Sequence, residues 1–92
     1  MSEHTNSNAP SGHVTVLFFA AARDAAKTGE WRCPVGEGET VATLKERVFS
    51  QFESLAAWRR ALRFAVDGEY ARDDEPVRAG CEVAVIPPVA GG

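Results

Sequence analysis

The chain closes with Ile86-Pro87-Pro88-Val89-Ala90-Gly91-Gly92. A carboxylate on Gly92 is the group here that can do chemistry. It is a poor electrophile as it stands. Activated, most simply as an acyl-adenylate formed with ATP, it can be attacked by a nucleophile. If that nucleophile is a persulfide, the product is a thiocarboxylate, a sulfur atom carried on a protein much as small cofactors carry groups. Access to the terminal carbonyl is then the limiting need. Gly91 and Gly92 have no Cβ, so another backbone can approach them from any side. Val89 and Ala90 are slim. Pro87 and Pro88 lack an N–H and hold φ near about −65°, and Pro87 is pushed to extended geometry by the proline after it. A sheet must stop there, and the chain leaves it straight. The four residues beyond Pro88 reach at most about 13–14 Å. Residues 89–92 thus read as a flexible tail suited to a narrow tunnel in another protein.

No second chemical centre competes with the tail. His4 and His13 have no clustered partners, and no metal-ligand set is expected. Cys33 and Cys81 match no CxxC spacing and read as small, part-buried apolar residues in a reducing compartment. Asp73, Asp74 and Glu75 precede Pro76 in a polar stretch and read as a solvated turn; Arg59 and Arg60 read as surface charge. No nucleophile, histidine and carboxylate fall at triad-like spacing, and no glycine-rich phosphate loop is present.

The remaining elements must hold the tail clear of a compact body. Ninety-two residues make one small domain that buries about two-thirds of its surface. A formal net charge of −3 argues against nucleic acid, which wants a basic face. No apolar run has the length of a membrane span and no secretory signal opens the chain, so the expectation is a cytosolic protein without a membrane role. Residues 1–12 are polar and aperiodic and read as a disordered leader before a domain over 13–88. HVTVLFFA, residues 13–20, predicts a strand apolar on both faces. A helical turn follows Ala22, with Gly29 as its C-cap. EWRCPV, residues 30–35, predicts a second strand with an edge proline, and GEGE a turn. Thr40 reads as an N-cap; Val41, Leu44, Val48 and Phe52 form one apolar stripe on a helix of about three turns. Leu55, Trp58 and Leu62 extend the helical spacing weakly. Asp67-Gly68 between RFAV and EYA predicts a two-residue type I′ hairpin, with Ala65 opposite Tyr70 and Val66 opposite Glu69. CEVAVIP, residues 81–87, alternates as the last strand. A sheet of four or five strands against one main helix is an α+β, two-layer arrangement.

The strand VLFFAAAR, the hairpin AVDGEY and above all EVAVIPPVAGG resemble the MoaD/ThiS-type sulfur carriers, the small subunits of molybdopterin synthase, over residues 13–92. The resemblance implies a ubiquitin-like β-grasp fold with a mixed sheet. It implies that Gly92 is adenylated by an E1-like enzyme, with ATP used by that partner and no cofactor bound by this chain. It also implies conversion to a thiocarboxylate and insertion of the tail, Pro87 through Gly91, into the large subunit of a heterotetrameric synthase. There sulfur passes to cyclic pyranopterin monophosphate in molybdenum cofactor biosynthesis. The catalytic side chains would belong to the large subunit, and this chain would be a sulfur-donating subunit without an active site of its own. Members commonly carry an acidic residue before the last strand, where this chain has Cys81.

In such a sheet the first and last strands lie side by side at the centre and the helix covers one face. With Thr15 and Glu82 marking the other face, Leu17, Phe19, Ala84 and Ile86 share it, joined by Tyr70. Apolar area beside the tail reads as a partner-docking patch. Three other readings use the same tail or none of it: a sulfur carrier for thiamine or cysteine synthesis, a ubiquitin-like modifier joined to lysines, and a binding module with an incidental Gly-Gly end.

Overall fold

The computed structural model describes residues 12–88. The expectations for the leader before Gly12 and for Val89, Ala90, Gly91 and Gly92 lie outside the described residues. Five strands, β1 (Gly12–Phe18), β2 (Glu30–Val35), β3 (Arg63–Val66), β4 (Glu69–Tyr70) and β5 (Glu82–Ile86), form one sheet in the order β2-β1-β5-β3-β4. The helices are α1 (Ala20–Ala26), α2 (Val41–Gln51) and α3 (Glu53–Ala56). β1 and β5 pair in parallel at the centre, with Thr15 beside Glu82 and Leu17 beside Ala84; the other pairings are antiparallel. This is the expected α+β mixed sheet on one main helix; the helical turn expected around Ala22 is α1, and of the weak extension through Leu55, Trp58 and Leu62 only Glu53–Ala56 is helical.

Period-two alternation decides the faces. Val14, Val16, Phe18, Val83 and Val85 are buried against Val41, Leu44, Val48, Phe49 and Leu55. Burying each such side chain contributes about 1.5–3 kcal/mol, so the helix-facing side fixes the register. α2 starts where expected. Thr43 N–H donates to Thr40 Oγ1 at 3.3 Å, and Thr40 N–H donates to Thr43 Oγ1 at 2.9 Å. Two orphan donors are thereby satisfied reciprocally. The acidic loop caps the same helix with its backbone: Val41 and Ala42 N–H donate to the carbonyls of Glu75 and Asp73. Its side chains are solvated, but Val77, in the same polar stretch, is buried.

The hairpin forms as its residues dictate. Asp67 (φ 50°) and Gly68 (φ 90°) both take positive φ, and Ala65 opposes Tyr70 and Val66 opposes Glu69.

Four local expectations are corrected. β1 begins at Gly12, inside the stretch read as leader, because a Cβ there would lie 2.6 Å from that of Ala79; only glycine lets the 78–80 turn close on the strand. β1 ends at Phe18. Phe19 precedes α1 as its N-cap, and Ala20 takes φ 50° to turn the chain out of the sheet. Lys27, at φ 64°, ends α1 by donating its N–H to Arg23 O at 2.8 Å, so Gly29 is not the cap. Finally, Phe52 lies just past α2 and is only partly buried, stacked edge-on against Phe18 and Trp31, while Phe49 takes the buried position.

The outer edge of β2 is closed to further strands. Phe18 N–H donates to Gly29 O, so in this register Glu30, Arg32 and Pro34 turn their backbone groups outward. Thr28 Oγ1 accepts from Glu30 N–H and donates to Glu30 O. Pro34 has no N–H, and its carbonyl accepts from Arg47 Nη1 at 2.8 Å. Only Arg32 keeps its pair open among the described residues, which is the protection an edge strand needs. Arg47 itself is held by Glu39, a buried carboxylate with Arg47 Nε at 3.2 Å and Thr43 Oγ1 donating at 2.9 Å.

Candidate functional site

β5 is central, so both of its edges are paired: β1 on one side as far as Val85, and β3 on the other, with Arg63 opposite Ile86. Phe19 N–H donates to Val85 O at 3.3 Å, the last bond across the β1 edge. Beyond it Pro87 is half-buried and Pro88 exposed. The chain therefore leaves from the middle of the sheet end, between Phe19 and Arg63, rather than from a corner.

The same register builds the face away from the helices. Leu17, Ala84, Ala65 and Tyr70 form one row across four strands, and Arg63 and Ile86 pair in the next. Leu17, Ala84 and Ile86 are half-buried, and Ala65 is closed in by its neighbours. Phe19 (46% exposed) and Tyr70 (63%) are the exposed large apolar side chains among the described residues. Phe19 keeps extended geometry, φ −115° and ψ 149°, so it continues the β1 alternation onto the face of Leu17 although it is not in the strand. Glu30, Arg32 and Glu82 rim the patch and are exposed. An apolar centre beside a charged rim is the usual build of a docking surface. The structure thus places Leu17, Phe19, Tyr70 and Ile86 on one face, together with the root of the tail. Sequence reasoning missed Arg63, whose guanidinium lies 5.1 Å from the Tyr70 ring centroid. The hairpin register foretold the place of Ala65 against Tyr70, but no local signal gave the pairing of β3 with β5.

The ThiS family model matches residues 16–92, through the Gly-Gly pair. The chain belongs to the ThiS family. Relatives of this ThiS-family chain include the molybdopterin synthase sulfur carrier subunits of Chlamydomonas reinhardtii, 33% identical over 86% of this chain and 98% of the relative, and of Arabidopsis thaliana, 30% identical over 89% and 85%. Among solved structures, a putative molybdopterin converting factor subunit 1 from Pyrococcus furiosus matches with a TM-score of 0.78 at 30% identity, covering 86% of this chain and all of that one. SAMP1 from Haloferax volcanii matches with a TM-score of 0.79 at 25% identity, covering 88% of this chain and all of that one. These likenesses give the ubiquitin-like β-grasp fold that the ThiS-family chain adopts.

The cysteines sit away from the end of β5 where the chain leaves the sheet. Cys33, on β2, is buried, and burial pushes its thiol up from its ordinary value, with the Arg47 charge pulling the other way. Cys81 precedes β5 at the far end of the sheet and is half-buried. A groove of about 580 Å³ between β2 and α2 is lined by Trp31, Cys33, Pro34 and α2 side chains, and among the described residues none of its lining belongs to the open face. Among the described residues no group of three histidines, cysteines or carboxylates is placed to hold a metal, and no helix is long and apolar enough to cross a membrane.

Proposed function

We propose that this chain is a sulfur carrier of molybdenum cofactor biosynthesis whose reactive group is the Gly92 carboxylate. An E1-like enzyme uses ATP to adenylate Gly92 and releases pyrophosphate. A persulfide sulfur displaces AMP, and a thiol reduces the resulting acyl disulfide to the thiocarboxylate. The tail, Pro87 to Gly91, then enters the large subunit of molybdopterin synthase, where the sulfur passes to cyclic pyranopterin monophosphate. Leu17, Phe19, Tyr70 and Ile86 seat the carrier against both partners. The observation that carries this reading is the family match running unbroken through Gly92. It is supported by relatives named as molybdopterin synthase sulfur carrier subunits and by a last strand that hands the chain out at Pro87 beside an apolar face. A neighbour solved as the complex of subunits 1 and 2 of the Helicobacter pylori molybdopterin-converting factor has the same fold. Intact mass spectrometry after incubation with ATP, the activating enzyme and a sulfur source tests the proposal. The expected product is the chain with one oxygen replaced by sulfur. An unchanged mass with an enzyme that charges its known carrier overturns it.

The likeness to SAMP1 of Haloferax volcanii, solved also under the name small archaeal modifier protein 1, favours one second reading, a protein modifier joined through the same activated glycine. Conjugates of higher mass in lysate, lost when Gly92 is removed, would establish it; a free thiocarboxylated protein alone would not.

A further inference from the structure

Next to the exit of β5 lies a basic groove of about 320 Å³, lined by Lys45, Arg60, Leu62, Arg63, Phe64, Tyr70 and Ala71. Three cations and, among the described residues, no carboxylate face it, in a chain whose formal net charge is −3. Arg60 and Arg63 have no carboxylate partner among the described residues. Arg63 is held over the Tyr70 ring, which fixes a guanidinium without neutralising it. Lys45 pairs with Asp73 at 2.6 Å, but Asp73 is 67% exposed, and such surface pairs contribute at most about 1 kcal/mol. A second carboxylate can therefore share Lys45. Arg63 is the register partner of Ile86 and Tyr70 belongs to the open face, so the groove continues the apolar patch around the root of the tail.

We propose that this groove receives an acidic segment of the protein into which the tail inserts, and so sets the approach and orientation of the carrier before insertion. The inference rests on the sulfur-carrier reading above. The cations stand at the solvent edge and, among the described residues, no buried polar side chain lines the groove, so it suits a carboxylate-bearing protein surface rather than a sequestered small ligand. A nucleic acid would meet the acidic remainder of the chain; a short acidic segment need touch only this side. Charges so placed at an interface rim act chiefly on the association rate and its salt dependence.

The test measures association of the full-length chain with the molybdopterin synthase large subunit by stopped flow from low to physiological salt. Arg60→Glu is compared with Arg78→Glu, an exposed arginine in the loop before β5. Each replaces +1 by −1 and takes the formal net charge from −3 to −5. Arg60→Glu is expected to slow association about tenfold at low salt and flatten its salt dependence. Arg78→Glu should change the rate less than about twofold, and Arg60→Lys should keep the wild-type rate. Equal effects of Arg60→Glu and Arg78→Glu would show only the overall charge at work and overturn the groove assignment. So would an Arg60→Glu protein with the wild-type rate and salt slope. Failure of the wild-type chain to form any complex is a different result: it removes the sulfur-carrier reading, and the groove falls with it.

Discussion

Phe19→Asp separates docking from folding because Phe19 sits between the two. The residue is 46% exposed, so about half of the burial a core phenylalanine would gain is at stake. Full burial contributes about 1.5–3 kcal/mol, and the truncation therefore loses about 1 kcal/mol. Position 19 is the N-cap of α1 and has no side-chain cap bond now. Aspartate is among the best residues there, contributing about 0.5–2 kcal/mol when its carboxylate accepts a first-turn N–H. The two effects oppose, and net stability should move by less than about 1 kcal/mol. For a domain of this size that is a shift in Tm below about 4–8 °C. Binding has no such compensation. An exposed aromatic anchor at a desolvated interface typically carries about 2 kcal/mol or more, and the new carboxylate must be desolvated too. Affinity for the activating enzyme and for the large subunit should fall about 30-fold or more. The assay is calorimetric titration of both partners beside thermal unfolding of the free variant. A folded variant with wild-type affinity for both partners would refute the docking role of this face. A fall in Tm of about 15 °C or more would refute the stability reasoning instead.

Removing Gly91 and Gly92, or adding one residue after Gly92, should abolish sulfur transfer in a reconstituted synthase assay and leave Tm within about 2 °C, since the last strand ends at Ile86. Arg47→Ala should cost about 2–4 kcal/mol in urea unfolding, because it leaves the buried Glu39 carboxylate short of its cation; it also frees the Pro34 carbonyl at the β2 edge, so light scattering should report faster aggregation. In the folded chain a thiol reagent should modify Cys81 and spare Cys33 until denaturant is added, as their burial requires. The raised Cys33 thiol keeps its proton to higher pH folded than unfolded. Its contribution is present below the ordinary thiol range and is lost as pH rises through it, by at most about 1.4 kcal/mol per pH unit; Cys33→Ala should remove that part of the decline.

Where a signal was local and strong, the sequence was legible. Asp67-Gly68 determined a turn, a register and the place of Tyr70, because only residues tolerant of positive φ close a two-residue hairpin. Thr40 marked the start of α2. The boundaries that failed are those decided from outside the segment. Gly12 joins β1 because Ala79, sixty-seven positions away, packs on it. Lys27 rather than Gly29 takes the left-handed cap because α1 must end in time for Gly29 O to meet Phe18 N–H. Val77 is buried in a polar stretch because its N–H donates to Glu39 O and draws the loop against the core. In the site, the alternation of β1 and β5 assigned Leu17 and Ile86 to the open face. Arg63 and the basic groove were invisible, since they arise from a β3–β5 pairing and from a turn after α3 that no periodicity encodes.

The topology explains why a carrier would be built this way. A chain leaving an edge strand is tethered on one side, and the frayed end of the edge swings with it. Here the last strand is bonded to β1 as far as Val85 and to β3 as far as Ile86, with Val83 and Val85 in the core, so the point of departure is as rigid as the sheet itself. On the sulfur-carrier reading the reacting carbonyl is that of Gly92, four residues past Pro88 and at most about 13–14 Å from it. A reach that short can place a reacting carbonyl accurately only if its origin is fixed and the body around the origin docks in one orientation. The central position of β5 meets the first condition. An apolar face joined to a cationic groove at the same end of the sheet meets the second, because non-directional burial supplies affinity while charge selects the orientation.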